Sequence, residues 1–183
     1  MQLVWPAHDY LPSYARALAR GWSANTVRPE EAKEELARIA ADPDAFLRSK
    51  VDREARGEPV ELPDGSHVQR LPGFIRWMWD GELCGSIGFR WQPGTAELPP
   101  HVLGHIGYSV VPWKRGRGLA AEALRQLLPD ARREGLPWVT LTTDPENVAS
   151  QRVIINNGGV LVERFVEPAA YGGGEGLRWR IDL

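Results

Sequence analysis

The residues best suited to chemistry in this 183-residue chain lie in one stretch, Lys114-Arg115-Gly116-Arg117-Gly118-Leu119-Ala120-Ala121. Before it, His105 to Val111 alternates like a strand. After it, Ala120, Ala123, Leu124, Leu127, Leu128 and Ala131 form a helical stripe. The first N–H groups of a helix have no internal partner and point outward, and the helix dipole favours an anion there. Glycine lets the backbone approach an anion without a Cβ in the way, and Arg115, Arg117 and Lys114 add charge that suits phosphate. An ordinary turn with surface bases is the competing reading, and the glycines alone do not decide between the two.

The surrounding elements have to hold that turn. Leu3-Val4-Trp5 reads as a short strand, with Asp9 as a cap for a helix over Tyr10 to Arg20. Further helices are expected over Pro29 to Ala40 and Pro43 to Arg56. Pro63-Asp64-Gly65 is a turn signal between Val60-Glu61-Leu62 and His67-Val68-Gln69. Phe74 to Trp79 and Leu83 to Trp91 read as strands joined by the hairpin turn Asp80-Gly81. The helix Leu119 to Glu134 should be kinked or interrupted at Pro129. Strands follow at Trp138 to Thr142, Val160 to Val166 and Leu177 to Ile181. A short helix over Asn147 to Asn157 ends at Gly158-Gly159, and Gly172-Gly173-Gly174 is a flexible link. This order predicts one α+β domain over residues 1–183, with a mixed sheet.

Composition narrows the partners. A net charge of -2 excludes a broad basic surface for nucleic acid. No apolar run approaches the roughly 20 residues that span a bilayer, and Met1 to Tyr10 lacks the layout of a signal peptide. The single Cys84 allows no internal disulfide and reads as core. These features predict a cytoplasmic protein, monomer or homodimer. His101 and His105 are four apart, but Pro99 and Pro100 argue against a helix there, so no metal site is expected.

Three phosphate-binding motifs compete for the glycine turn. The P-loop string is absent. A dinucleotide fingerprint is met in relaxed form by Gly116, Gly118 and Ala121, with Asp144 after the next strand. Against it, Pro112-Trp113-Lys114-Arg115 separates strand from glycine, and too little chain follows for a doubly wound sheet. The third is coenzyme A. Arg115-x-x-Gly118-x-Ala120 resembles the acetyl-CoA signature of the GCN5-related N-acetyltransferases, the GNAT family. So do the preceding His105-Ile106-Gly107-Tyr108-Ser109-Val110-Val111-Pro112 and the later Asn147-Val148-Ala149-Ser150 and Asn156-Asn157-Gly158-Gly159.

That resemblance implies an α/β/α arrangement with a splayed mixed sheet of about seven strands. It implies a cofactor arm paired with the Val110-Val111 backbone, and a pyrophosphate on the amides of Gly116, Arg117, Gly118, Leu119, Ala120 and Ala121 beside Arg115. Asn147 and Ser150 would contact the arm. The implied reaction moves an acetyl group from acetyl-CoA to a small-molecule or peptide amine.

Such a transfer needs a proton acceptor for the ammonium, a donor to the oxyanion, and an escape for the thiolate. His105 stands where many relatives have Glu, and is the expected base; a backbone-bonded structural histidine is the alternative. The implied oxyanion donor is a backbone N–H near Val110. The acid is a gap, because Ile154 occupies the position where the family commonly has Tyr; Ser150 and Tyr171 are the nearby hydroxyls. The resemblance places the acceptor among Trp22 to Thr26, Pro59 to Pro72 and Trp91 to His101, with Trp77, Trp79 and Trp91 as possible lining and Glu97 as a contact. A non-catalytic acetyl-CoA binder is the rival reading.

Overall fold

The computed structural model describes residues 1–62, 64–171 and 173–183. Pro63 of the expected turn and Gly172 of the glycine link lie outside the described residues. The chain begins with β1 (Gln2–Val4), α1 (Leu11–Ala19), α2 (Glu31–Ala41) and α3 (Pro43–Arg48). Short strands β2 (Val51–Asp52), β3 (Val60–Glu61) and β4 (His67–Val68) lead to the long hairpin of β5 (Gly73–Trp79) and β6 (Leu83–Arg90). Then come β7 (Ile106–Val110), α4 (Leu119–Arg133), β8 (Trp138–Thr143), α5 (Val148–Ile155), β9 (Val160–Val166) and β10 (Glu175–Asp182).

The strands form two main sheets. One has the order β1-β5-β6-β7, with β2 also on β5; the other is β8-β10-β9. β3 and β4 pair only with each other. Every strand pairing among the described residues is antiparallel. The α+β arrangement is the expected one, its ladders are antiparallel, and it has no doubly wound order, which removes the dinucleotide reading.

Each face of the larger sheet carries its own core. On one face Phe74, Met78, Cys84, Ile87 and Phe89 meet Ala123, Leu124, Leu127 and Ala131 of α4, and this core continues through Val139, Leu141 and Trp179 of the smaller sheet. On the other, Tyr14, Leu18, Trp22 and Phe46 from the helical region cover Trp77 and Val111. Period-2 alternation in β5 divides its aromatics between these cores: Trp77 faces α1, and Phe74 faces α4. Trp77 is fully buried and stacks on Tyr14 at 4.4 Å, while Trp91 stacks on Phe89 at 5.2 Å, so neither is free to line an acceptor site.

A buried ion pair holds the helical layer. Glu35 of α2 accepts from Lys50 Nζ and, at 2.6 Å, from Tyr14 Oη. Both charged side chains are about 5% exposed. Burial pushes the Tyr14 phenol well above its ordinary range, and the neighbouring Glu35 charge adds to the shift.

This pair accounts for one departure from expectation. The third helix stops at Arg48 rather than Arg56, because Lys50 turns inward to Glu35 and its carbonyl accepts from Ile75 N at 2.8 Å. Val51-Asp52 then adds to β5 as an edge strand. Asp9 makes no cap, since Tyr10 is the N-cap and Leu11 N already donates to Ala7 O and His8 O. Pro129 does not interrupt α4: it lies on the exposed face, where the carbonyl it cannot serve faces solvent rather than the core. Among the described residues no helix is long and apolar enough to cross a membrane.

Removing one partner from a buried pair strands the other charge, at a cost of about 3–5 kcal/mol. Glu35→Ala should lose that much in urea unfolding, and Tyr14→Phe, which keeps the ion pair, should lose less than half as much.

Candidate functional site

β7 and β8 are neighbours joined at one end. His105 N donates to Thr140 O at 2.8 Å, and Thr140 N donates to His105 Nδ1 at 3.0 Å. Beyond that joint no backbone bond links residues 106–110 to β8. The two sheets diverge there into a wedge, with the edge of β8 unpaired along it.

The glycine turn lies past the open end of β7. Gly116 and Gly118 take left-handed φ values of 75° and 72°, which a side chain disfavours, and no atom crowds either Cβ position. The amides of Gly116, Arg117, Gly118, Leu119, Ala120 and Ala121 have no acceptor among the described residues; the first helical bond is Glu122 N to Gly118 O. Six consecutive donors at the N-terminus of a 15-residue helix, flanked by the exposed Arg115 and Arg117, make a strong anion cradle.

Lys114 does not join them. Its side chain is 6% exposed and turns under the loop, where Nζ reaches Asp80 Oδ1 at 2.5 Å and Glu82 Oε1 at 3.0 Å. The hydrogen bond from Lys114 holds the Asp80 carboxyl below its ordinary pKa. The β5–β6 hairpin thereby anchors the start of the cradle. Arg115 Nε donates to Val110 O at 3.2 Å, so it lies along the strand edge expected to receive the cofactor arm.

α5 closes the far side. Asn147 is its N-cap, with Oδ1 accepting from Ser150 N at 3.1 Å. Asn157 Nδ2 donates to Ala121 O at 3.1 Å and ties α5 to the first turn of α4. Tyr108, in strand alternation with Ile106 and Val110, reaches from β7 to α5, where its hydroxyl lies 2.7 Å from Ser150 Oγ. Burial pushes the Tyr108 phenol up to about 12. Ile154 is fully buried in the core. The hydroxyl pair was missed because Tyr108 reads as an ordinary core-facing strand residue; the signal was that a half-buried Tyr needs a polar partner.

His105 is not placed as a base. It is fully buried, edge-on to Trp138 at 5.9 Å. A backbone N–H can only donate, so the bond from Thr140 N fixes Nδ1 as the acceptor and occupies the one lone pair of the neutral ring. Nε2 then carries the proton and is buried with no hydrogen-bond partner among the described residues. Burial, together with the Arg90 charge, lowers its pKa to about 4. The structural alternative describes this residue, and the expected proton acceptor does not.

On the other face of β7, Ser109 Oγ accepts from Trp22 Nε1 at 2.9 Å and donates to Ser23 O at 3.0 Å. The segment after α1, expected at the acceptor side, is thus pinned to the strand that borders the wedge. Tyr171 Oη donates to His101 O at 3.0 Å, tying the loop before β7 to the segment before β10. Glu97 lines a cavity of about 330 Å³ with Trp138, Thr140, Phe165 and Arg178.

Comparison with known proteins adds the family. The model of an acetyltransferase (GNAT) domain matches residues 25–160. No curated protein matches the chain. Among solved structures, the microcin C7 self-immunity acetyltransferase MccE in complex with acetyl-CoA and AMP is similar at 12% identity, over 99% of this chain and 91% of that one, with a TM-score of 0.64. RimL, a ribosomal L7/L12 alpha-N-protein acetyltransferase solved with coenzyme A, is similar at 13% identity, over 99% and 93%, with a TM-score of 0.62. At these identities the likeness is one of fold.

The depressed pKa of His105 has a sign. Unfolded chains bind a proton below about pH 6.5, whereas the folded state stays neutral to about 4. Folding stability should therefore fall as pH drops from about 6.5 to 4 and level off below, by about 3 kcal/mol from this residue alone. His105→Gln keeps an acceptor for Thr140 N, and urea titrations at several pH values should show that it lacks this part of the acid loss.

Proposed function

The chain belongs to the GNAT acetyltransferase family, and on that premise we propose that it transfers an acetyl group from acetyl-CoA to a primary amine by direct attack in a ternary complex. The observation that carries this reading is the row of six unpartnered amides from Gly116 to Ala121, flanked by two arginines and set where the wedge opens. A pyrophosphate supplies the charge and the acceptors that such a row lacks. MccE and RimL, which share the fold, were solved with acetyl-CoA and coenzyme A respectively.

In this reading the Val110-Val111 backbone and the open edge of β8 line the cofactor arm, and Arg115 leaves Val110 O to meet the phosphates. The Asn147 amide and the Ser150 hydroxyl face the arm from α5. A backbone N–H near Val110 steadies the oxyanion, where a fixed donor is worth about 3 kcal/mol in such sites. The Tyr108–Ser150 hydroxyl pair stands where a proton can reach the departing sulfur, in place of the Tyr that position 154 lacks. His105 acts as a positioning residue that keeps β7 against β8, and the ammonium loses its proton to water. The acetyltransferase unit spans residues 1–183 and has its place in the cytoplasm.

Gly118→Glu should abolish coenzyme A binding in calorimetry, since it sets a carboxylate among the phosphate donors. Gly118→Ala carries the same backbone strain without the charge and should keep measurable affinity; unchanged coenzyme A binding by Gly118→Glu would remove the pyrophosphate from this turn. The acid limb of kcat/KM should follow the pKa of the amine used and remain in His105→Gln. A limb that vanishes with His105 would restore it as the base. Binding of acetyl-CoA without thiol release across an amine panel would favour the non-catalytic reading, which the buried Ile154 motivates.

A further inference from the structure

Two glycines lie side by side in the larger sheet without a structural need for either. Gly88 of β6 and Gly107 of β7 are cross-strand partners. Neither has a positive φ. A Cβ on Gly107 would meet only Arg90 Nη2 at 3.6 Å, and one on Gly88 would have Ile75 Cγ1 nearest at 3.6 Å, both ordinary contacts. Gly85 of the same strand is different, because a Cβ there would fall 2.2 Å from Ser109 O. Glycine weakens a strand interior and commonly marks the close approach of a ligand.

The pairing register shows what borders this bare strip. Antiparallel partners point to one face, so Ser86 and Ser109, then Gly88 and Gly107, then Arg90 and His105 form three successive rows. This face is opposite the α4 core, which takes Ile87, Phe89 and Ile106. Trp22, bonded to Ser109, covers the serine row. The glycine row lies beyond that cover, and Gly107 is exposed. The result is a strip of bare backbone, with the pinned segment after α1 on one side and the Arg90 guanidinium reaching over Gly107 from the other. Among the described residues the Arg90 guanidinium has no carboxylate partner; burial pulls its pKa down, and Tyr171 acts weakly the other way.

We propose that the acceptor amine carries an oxyanion, a carboxylate or a phosphate, which Arg90 binds while the Gly88–Gly107 strip seats the chain leading to the amine. This rests on the acetyltransferase reading above. Arg90 suits either anion through paired N–H donors, and its Nη2 lies over Gly107, so a chain seated on the strip comes directly under the guanidinium.

The test uses the full-length protein saturated with coenzyme A for binding and acetyl-CoA for turnover. The acceptors form one matched series: γ-aminobutyrate, 3-aminopropyl phosphate, 3-aminopropanol and 1,3-diaminopropane. At least one anionic member should bind and turn over about ten-fold or more better than 3-aminopropanol, the effect of one charge-assisted hydrogen bond. The order of the two anions tells carboxylate from phosphate. Arg90→Gln should erase the advantage with coenzyme A affinity unchanged, and Arg90→Glu should turn the preference toward 1,3-diaminopropane. Gly107→Val should raise KM for every member while the thermal midpoint and coenzyme A affinity hold. Anions that bind no better than the alcohol, or not at all, overturn the proposal, as does an advantage that survives Arg90→Gln. Failure of the wild type to bind coenzyme A overturns the acetyltransferase reading and this inference with it.

Discussion

The hydrogen bonds between His105 and Thr140 determine how the rest of this molecule is arranged. They bring together sheets that share no registered pairing. If β7 and β8 paired along their length, both edges would be saturated and no extended chain could enter between them. If they did not meet, the core beneath α4 would split, because its residues come from both sheets. The joint satisfies both demands at once. A histidine suits it because one ring accepts from Thr140 N while the backbone donates to Thr140 O, and a neutral ring can be buried where a charge cannot.

Around that joint, each functional wall is tied down from a different element. The β5–β6 hairpin holds the cradle through Lys114, α5 is clasped to α4 through Asn157, and the segment after α1 is held by Ser109. All three ties are long-range side-chain contacts rather than features of the elements they fix. The cradle can therefore keep its amides unpaired: the turn is not held by its own hydrogen bonds, so those donors remain for an anion.

What was legible in the sequence follows the same division. The glycine turn, the Asp80-Gly81 hairpin and the short helix after Asn147 are local, and their residue types state their geometry. The end of α3 was not local, because nothing near Arg48 announces that Lys50 is drawn to Glu35 across a helix layer. Lys114 reads as one more phosphate cation until the hairpin places two carboxylates beneath it. His105 shows most plainly where residue type runs out. Imidazole chemistry suggests a base, but the use of its single lone pair depends on which amide arrives, and Thr140 is 35 residues away. Ile154 was visible as a missing phenol, whereas the hydroxyl that Tyr108 brings from the facing strand needed the fold to be seen.

The joint also gives the wedge a mechanical property. Two strands bonded at one end only would, taken alone, behave as a pair of lever arms. The five residues of β7 extend about 16 Å at roughly 3.3 Å each, so a rotation of about 4° at the joint moves the rim by about 1 Å. Such a rotation asks little of the hydrogen bonds at the joint, but it would shear the one core that α4 buries against both sheets. The width of the gap is therefore set by that shared core more than by the joint, and a chain entering between the strands meets a wedge already held open.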